Sequence, residues 1–474
     1  MRARVIGSGL FLLSGALLFA AAIEQGSIDL AAQVRPSGGF VPPLPAMSSC
    51  PGPSVHEVAP GTIDLAKPPA AVGLALPDAP DPPFRFTQYD LKTGMRYSYG
   101  FAVADYDCDG KPDVSMFDSY TRTRRLLDPR VGAVGLMQWN GAPAPVEITN
   151  ADGYPEIAGR PNNVVLFERH IPFDVNGDGR PDIVGVVNSH AAVVAYLNPG
   201  VRGAMWPRVY LSTAVPAPID IASGDIDGDG FPDLIVSMRN QPSTDPDPAI
   251  RGIVWLRNPG GAGLWEQFEV GDSAWLRDPR TLAVADIDGD GRLDIVASDN
   301  GTGRLAWWRN PGAGGTWISR AIPGVLPVHG HFGEVRDFDG DGRPDILQPI
   351  YQGVVIARNV DGGTSWQIIP VASFAMEPRQ IVVAGAHTAD MDGDGLADIL
   401  VSVSVNAIAA NARGRGGLYM FRQAEGGWAA SKIYEEDSST ISSGVLDYNG
   451  NGRPDVLLNS EYQRNGVSLL VNEP

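Results

Sequence analysis

Cysteine is nearly missing: the 474 residues hold only Cys50 and Cys108, too few for a disulfide scaffold. Neither sits in a metal-like cluster, and Cys50 lacks the apolar approach of a lipid-attachment cysteine. The pair can still bond in an oxidising compartment. No basic patch is present to hold nucleic acid, and a formal net charge of −19 points away from polyanions and acidic membranes. There is no nucleophile elbow and no phosphate loop. A long hydrophobic run occurs once, from Leu10 to Ile23, after Arg2 and Arg4 and ending in Ala20-Ala21-Ala22. That is a signal-peptide pattern with cleavage expected near Ala22, hence a secreted or periplasmic address. The alternative is an uncleaved anchor, for which the run is short.

What the chain has in quantity is Asp, Gly and Pro. One nine-residue pattern, typified by Asp225 to Asp233 (DIDGDGFPD), recurs seven times. Its oxygen-bearing positions 1, 3, 5 and 9 are Asp105, Asp107, Asp109 and Asp113; Asp174, Asn176, Asp178 and Asp182; Asp225, Asp227, Asp229 and Asp233; Asp286, Asp288, Asp290 and Asp294; Asp337, Asp339, Asp341 and Asp345; Asp390, Asp392, Asp394 and Asp398; and Asp447, Asn449, Asn451 and Asp455. A hard cation such as Ca²⁺ takes about 6 to 8 oxygens, and a tight turn can aim alternate side chains inward. Position 6 is always Gly, which tolerates the positive φ of such a reversal. An EF-hand would need a Glu at position 12 and flanking helices, whereas here position 9 leads into aliphatic residues, so the loop joins strands. These positions hold 25 of the 55 acidic residues, and seven divalent ions would bring the charge to −5.

Three regions follow: a signal peptide over 1–22, a linker or wrapping arm over 23–83, and a repeat domain over 84–474. Thirteen of the 40 prolines lie between Pro36 and Pro83, the composition of an extended segment. From Phe84 onward, Gly, Pro, Asn and Asp clusters cut each unit into four short strands, A to D. In the fourth unit these are Thr281 to Ala285, Ile295 to Ser298, Leu305 to Arg309 and Trp317 to Ala321. The hairpin spacings leave no room for crossover helices. One four-stranded unit buries little alone, and radial stacking supplies both a core and edge protection. The fold class expected is all-β: a seven-bladed β-propeller of four-stranded antiparallel blades. The last unit lacks a strand D, and Phe84 to Leu91 is expected to supply it, closing the ring.

On these residues the chain resembles the FG-GAP or VCBS-type repeat family, the calcium-loop propeller related to the integrin α head. The resemblance covers Phe84 to Pro474 and implies up to seven Ca²⁺, held by positions 1, 3, 5 and 9 and the carbonyl of position 7. Asn176, Asn449 and Asn451 depart from the pattern, and the seventh site is expected to be weakest. The family binds ligands on the face opposite the loops, built by the D to A and B to C connections. That implies a glycan or protein partner; the charge and the single apolar run add the expectation of no nucleic acid and no membrane span after signal cleavage. In the D to A connections lie His170, Arg277, Arg280, His329, His331, Arg379 and His387; in the B to C connections lie Arg122, Arg124, His190, Arg239, Gln352, Arg413, Arg415 and Tyr462. The leading expectation is an exported, non-catalytic binding or adhesion module. The alternative is a secreted polysaccharide lyase or sugar dehydratase, with Arg280 and Arg379 binding carboxylates and His331 or His387 as base. A Cys50 to Cys108 disulfide would staple the arm across the ring closure.

Overall fold

Asp233, the ninth residue of the third loop, is also the first residue of a strand, Asp233–Met238. The other loops do the same, with strands starting at Asp113, Asp182, Asp294, Asp345, Asp398 and Asp455. The computed structural model describes residues 60–75, 79–92, 98–118, 134–137, 145–147, 167–201, 204, 206–239, 252–325, 327–375, 381–405, 416–425, 427–436, 439–461 and 466–473. Cys50, Arg122, Arg124, Arg379, Arg413, Arg415, Tyr462 and the 1–22 segment lie outside them.

The strands form antiparallel sheets in a propeller arrangement. In the fourth unit, Pro279–Ala285, Asp294–Asp299, Arg304–Arg309 and Ile318–Ala321 pair in chain order. The expectation of seven four-stranded blades is corrected to six: six sheets have four strands, and the sheet of the fifth loop has five. Its extra strand is Val72–Ala75, which adds parallel to the outer strand Trp366–Ala375 with Val72 opposite Ala372. An outer strand is an open edge, and this piece of the proline-rich arm covers one. The partner expected for the last unit is present: Arg85–Lys92 pairs antiparallel with Gly466–Glu473, Phe86 facing Asn472.

The core lies between neighbouring sheets, because strands B and C are apolar on both faces. Ile235 and Ile253 pack with Ile295 and Trp308 of the next sheet, and Leu446 and Leu457 of the last sheet pack with Val114 and Met116 of the first. Each such fully buried aliphatic side chain contributes about 1.5–3 kcal/mol.

The arm also enters this core. Ile63 and Leu65 are buried among Phe338, Ala397 and Phe421, between the sheets of the fifth and sixth loops. The backbone binds as well, with Ile63 N donating to Phe338 O (2.8 Å) and Ala397 N to Thr62 O (2.9 Å). Gly61, at φ +64°, permits this approach: a Cβ there would sit 2.4 Å from Ala397 N. Gly61→Ala is therefore expected to loosen the arm, lowering the melting temperature by a few degrees and opening residues 60–75 to limited proteolysis. An unchanged melt and cleavage pattern would refute this docking.

Candidate functional site

The loops are self-similar cradles. In the third, Asp225 accepts bonds from Gly228 N and Asp229 N on Oδ1 (2.8 and 3.1 Å) and from Gly230 N on Oδ2 (2.9 Å). Asp227 Oδ1 takes Asp229 N (3.3 Å), and Asp229 Oδ1 takes Phe231 N (3.0 Å). Gly228 and Gly230 supply φ of +75° and +92°, the left-handed conformation that glycine adopts without penalty. Asp233 closes the turn, its Oδ2 accepting Ile226 N (3.0 Å) and its Oδ1 accepting Asn258 N of strand C (2.8 Å).

These bonds crowd carboxylates. In five loops, one oxygen from each of three aspartates comes within 4.8 Å of the others: Asp105, Asp107 and Asp113; Asp225, Asp227 and Asp229; Asp286, Asp288 and Asp290; Asp337, Asp339 and Asp345; Asp390, Asp392 and Asp398. Like charges so placed repel unless a cation or proton sits among them. The donor set is all oxygen, and buried Asp398 Oδ1 has no hydrogen-bond partner, so the residues fit a hard divalent ion. Loops two and seven contain Asn176, Asn449 and Asn451 and are not among these triads. Arginines of the adjoining strand C balance the outer oxygens: Arg257 reaches Asp227 (2.6 Å) and Asp229 (3.1 Å), and Arg358 reaches Asp339 (2.7 Å).

The Asn that ends strand C, one of the residues whose clusters cut the units into strands, joins neighbouring sheets. Asn310 Nδ2 donates to Leu293 O of its own loop (3.0 Å) and to Ile226 O of the preceding one (2.8 Å), while its Oδ1 accepts Gly312 N. Asn198, Asn359 and Asn472 make the same reach to Tyr106, Ile287 and Met391. The sixth unit has Gln423 instead, which binds Thr62 O of the arm (2.7 Å), and the carbonyl of Phe338 is taken by Ile63 N. The arm thus substitutes for the missing Asn. Asn310→Ala is expected to cost about 2–3 kcal/mol in urea unfolding, since it strands a buried carbonyl; a loss below about 0.5 kcal/mol would contradict the bridging role.

Cys108 occupies position 4 of the first loop with φ +60°, where the other six loops have Gly. It is disulfide-bonded; the expected pairing with Cys50 falls outside the described residues.

A second feature lies at the other end of strands A. Arg169 and Asp220 each stand five residues before the first Asp of a loop, about 17 Å along an extended strand. With Arg280, Thr281 and His331 they line a cavity of about 170 Å³. Arg169 Nη2 donates to His331 O (2.9 Å), its Nε lies 3.5 Å from Asp220, and its guanidinium covers the Phe332 ring at 3.6 Å. Arg280 approaches His331 Nδ1 (3.4 Å) and shares the Asp278 carboxylate with Arg239. Burial, opposed by Arg169, pushes the Asp220 carboxyl up to about 6. Burial and then Arg280 hold His331 well below the ordinary imidazole value.

The histidines are divided. His170 lies inside strand Phe167–Phe173 and His387 inside Ile381–Ala389, as Arg280 lies inside Pro279–Ala285, rather than in connections. His170 Nε2 is engaged by Ser115 Oγ (3.0 Å), and burial pushes its pKa down to about 3. His329 packs edge-on to Tyr351, and His387 tilts against Phe332. Of the residues named from the sequence, the cavity gathers Arg280, His331 and His170; Arg169 and Asp220 were missed. Their signal was a charged residue inside an apolar strand A, at a fixed offset before the loop.

Comparison with known proteins gives an FG-GAP-like repeat model matching residues 174–236, 286–348 and 337–401. Among curated proteins, a T-cell immunomodulatory protein homolog of Plasmodium yoelii yoelii is 27% identical over 146 residues, covering 26% of this chain. The match spans 19% of that relative's length. An Agrocybe aegerita lectin, described as recognising non-reducing terminal N-acetylglucosamine, is 20% identical with a TM-score of 0.46, covering 72% of this chain and 88% of its own. YCF48 from Cyanidioschyzon merolae is 12% identical with a TM-score of 0.47, covering 81% and 98%.

Proposed function

This chain is an FG-GAP-repeat propeller, and from that premise we propose an exported, calcium-stabilised, non-catalytic binding module whose glycan or protein partner meets the end remote from the loops. The observation that carries the reading is the division of labour between the two ends. One end repeats a single acidic cradle, which can stiffen a ring but cannot select a partner. The other gathers unlike residues from several strands A, and rigid scaffolds with varied residues at one end suit recognition. Ca²⁺ would be held by positions 1, 3, 5 and 9 of the loops, from Asp105 to Asp455, with the Asn-bearing seventh loop weakest. When bound, the ion neutralises the crowded carboxylates. The pairing of residues 85–92 with 466–473 supports a ring sealed by both chain ends. Export rests on the signal-peptide pattern, and among the described residues no helix is long and apolar enough to cross a membrane.

The test is a glycan array and a protein-partner capture with the calcium-loaded, full chain, alongside a lyase assay on acidic polysaccharides. Saturable binding without turnover is expected. Product formation, or the absence of any ligand in both binding screens, would overturn the module reading.

A further inference from the structure

The cavity at the far end of strands A sets a few buried polar groups among apolar side chains. Its chemistry rests on the glycan half of the function proposed above and narrows it. Arg169 and Arg280 are 7% and 8% exposed, so two guanidiniums are held away from bulk water at one small volume. Asp220 lines the same space beside Arg169. Thr281, 3% exposed, also lines it, and its Oγ1 has no hydrogen-bond partner. A buried hydroxyl in that condition costs free energy unless a ligand or water completes it.

The mixed signs decide the ligand class. An anion would meet the Asp220 carboxylate, and a cation would meet both guanidiniums. A sugar hydroxyl accepts from a guanidinium and donates to a carboxylate with the same oxygen, so a neutral polyhydroxylated ring is compatible with both. The volume, about 170 Å³, admits a ligand of single-ring size in place of several waters. The cavity draws on five chain segments, from Gly100 to Gly333, so it is one site shared by several sheets rather than one repeated in each.

We infer that this cavity binds the terminal ring of a neutral sugar, with Arg169 and Arg280 donating to its hydroxyls, Asp220 accepting from them and Thr281 Oγ1 completing the set. Contacts confined to one ring give weak binding, with a Kd on the order of 1 mM.

The test uses the calcium-loaded full chain, titrated by calorimetry and saturation-transfer NMR with methyl glycosides of glucose, galactose, mannose and N-acetylglucosamine, and with glucuronate and glucosamine as charged controls. At least one neutral sugar is expected to saturate, at least about tenfold tighter than either charged control. Thr281→Val, which keeps the shape and removes the hydroxyl, is expected to weaken that sugar about five- to tenfold, and Thr281→Ser to restore it, with both variants folded by circular dichroism. Preference for glucuronate or glucosamine would overturn the neutral assignment. Full affinity in Thr281→Val would place the sugar elsewhere. Failure of every monosaccharide while array glycans or protein partners still bind would refute this site and leave the module reading standing; failure of all of them would remove both.

Discussion

Removal of divalent ions with EDTA is expected to lower the melting temperature by about 10 °C or more. An ion that binds only the fold stabilises it by about 2.7 kcal/mol at a hundredfold excess over Kd, and five loops bring three aspartate oxygens together. Even when each kcal/mol moves the melt of a large domain by only a degree or two, several sites give a large shift. The effect should depend on pH. In the ion-free fold, burial pushes the position 9 carboxyls up: Asp113 and Asp398 to about 8, Asp182, Asp294 and Asp345 to about 7, and Asp455 to about 6. A carboxyl with a folded pKa above its unfolded value holds its proton more tightly in the fold. The metal-free protein therefore gains stability as pH falls through about 7 and loses it as pH rises, while cation binding must displace those protons. The gap between calcium-loaded and EDTA-treated melts should be wide at pH 8 and narrower at pH 6. Calorimetric scans at the two pH values decide it; coincident melts with and without EDTA at pH 8 would remove calcium's structural role.

Much of this was legible because the repeat is local. Nine residues carry the whole cradle, and in the fourth unit the strands lie within two residues of their expected bounds, as Thr281 against Pro279 shows for strand A. The late start assigned to strands A is what placed His170 and His387 in connections. The cavity was not legible as a unit, since Arg169, Asp220 and Arg280 lie 51 to 60 residues apart in neighbouring members of the series and no local motif joins them. The fifth strand escaped notice for a related reason. Val72–Ala75 is four residues in a proline-rich stretch, and only the exposed edge of Trp366–Ala375 gives it a reason to be a strand. The Asn of strand C was visible in the sequence, but its reach to the preceding loop is a property of stacked sheets, which a single unit does not contain.

Replacing Asp294 should cost more than replacing any other ligand of its loop, and for a reason separate from the metal. Asp294 is fully buried, with Ile287 N donating to Oδ2 (3.0 Å) and Asn310 N donating to Oδ1 (2.7 Å). Asp294→Ala leaves two buried backbone N–H groups without acceptors, at about 1–3 kcal/mol each. It also frees Asn310, the residue that reaches Ile226 of the preceding loop, so the damage passes to the interface between sheets. Asp288, at position 3, accepts one long bond from Asp290 N (3.2 Å) and pairs with Arg309 at the surface. Such surface pairs contribute little. In EDTA, Asp294→Ala is therefore expected to lose about 3 kcal/mol or more, and Asp288→Ala under about 1 kcal/mol, in urea unfolding. With calcium present both should lose a binding site, which narrows the ratio between them without reversing it. Asp294→Asn keeps one acceptor oxygen and should fall between the two. Equal losses for Asp294→Ala and Asp288→Ala in EDTA would mean that position 9 acts only through the ion, and that the bonds from Ile287 and Asn310 do not hold the loop to its neighbours.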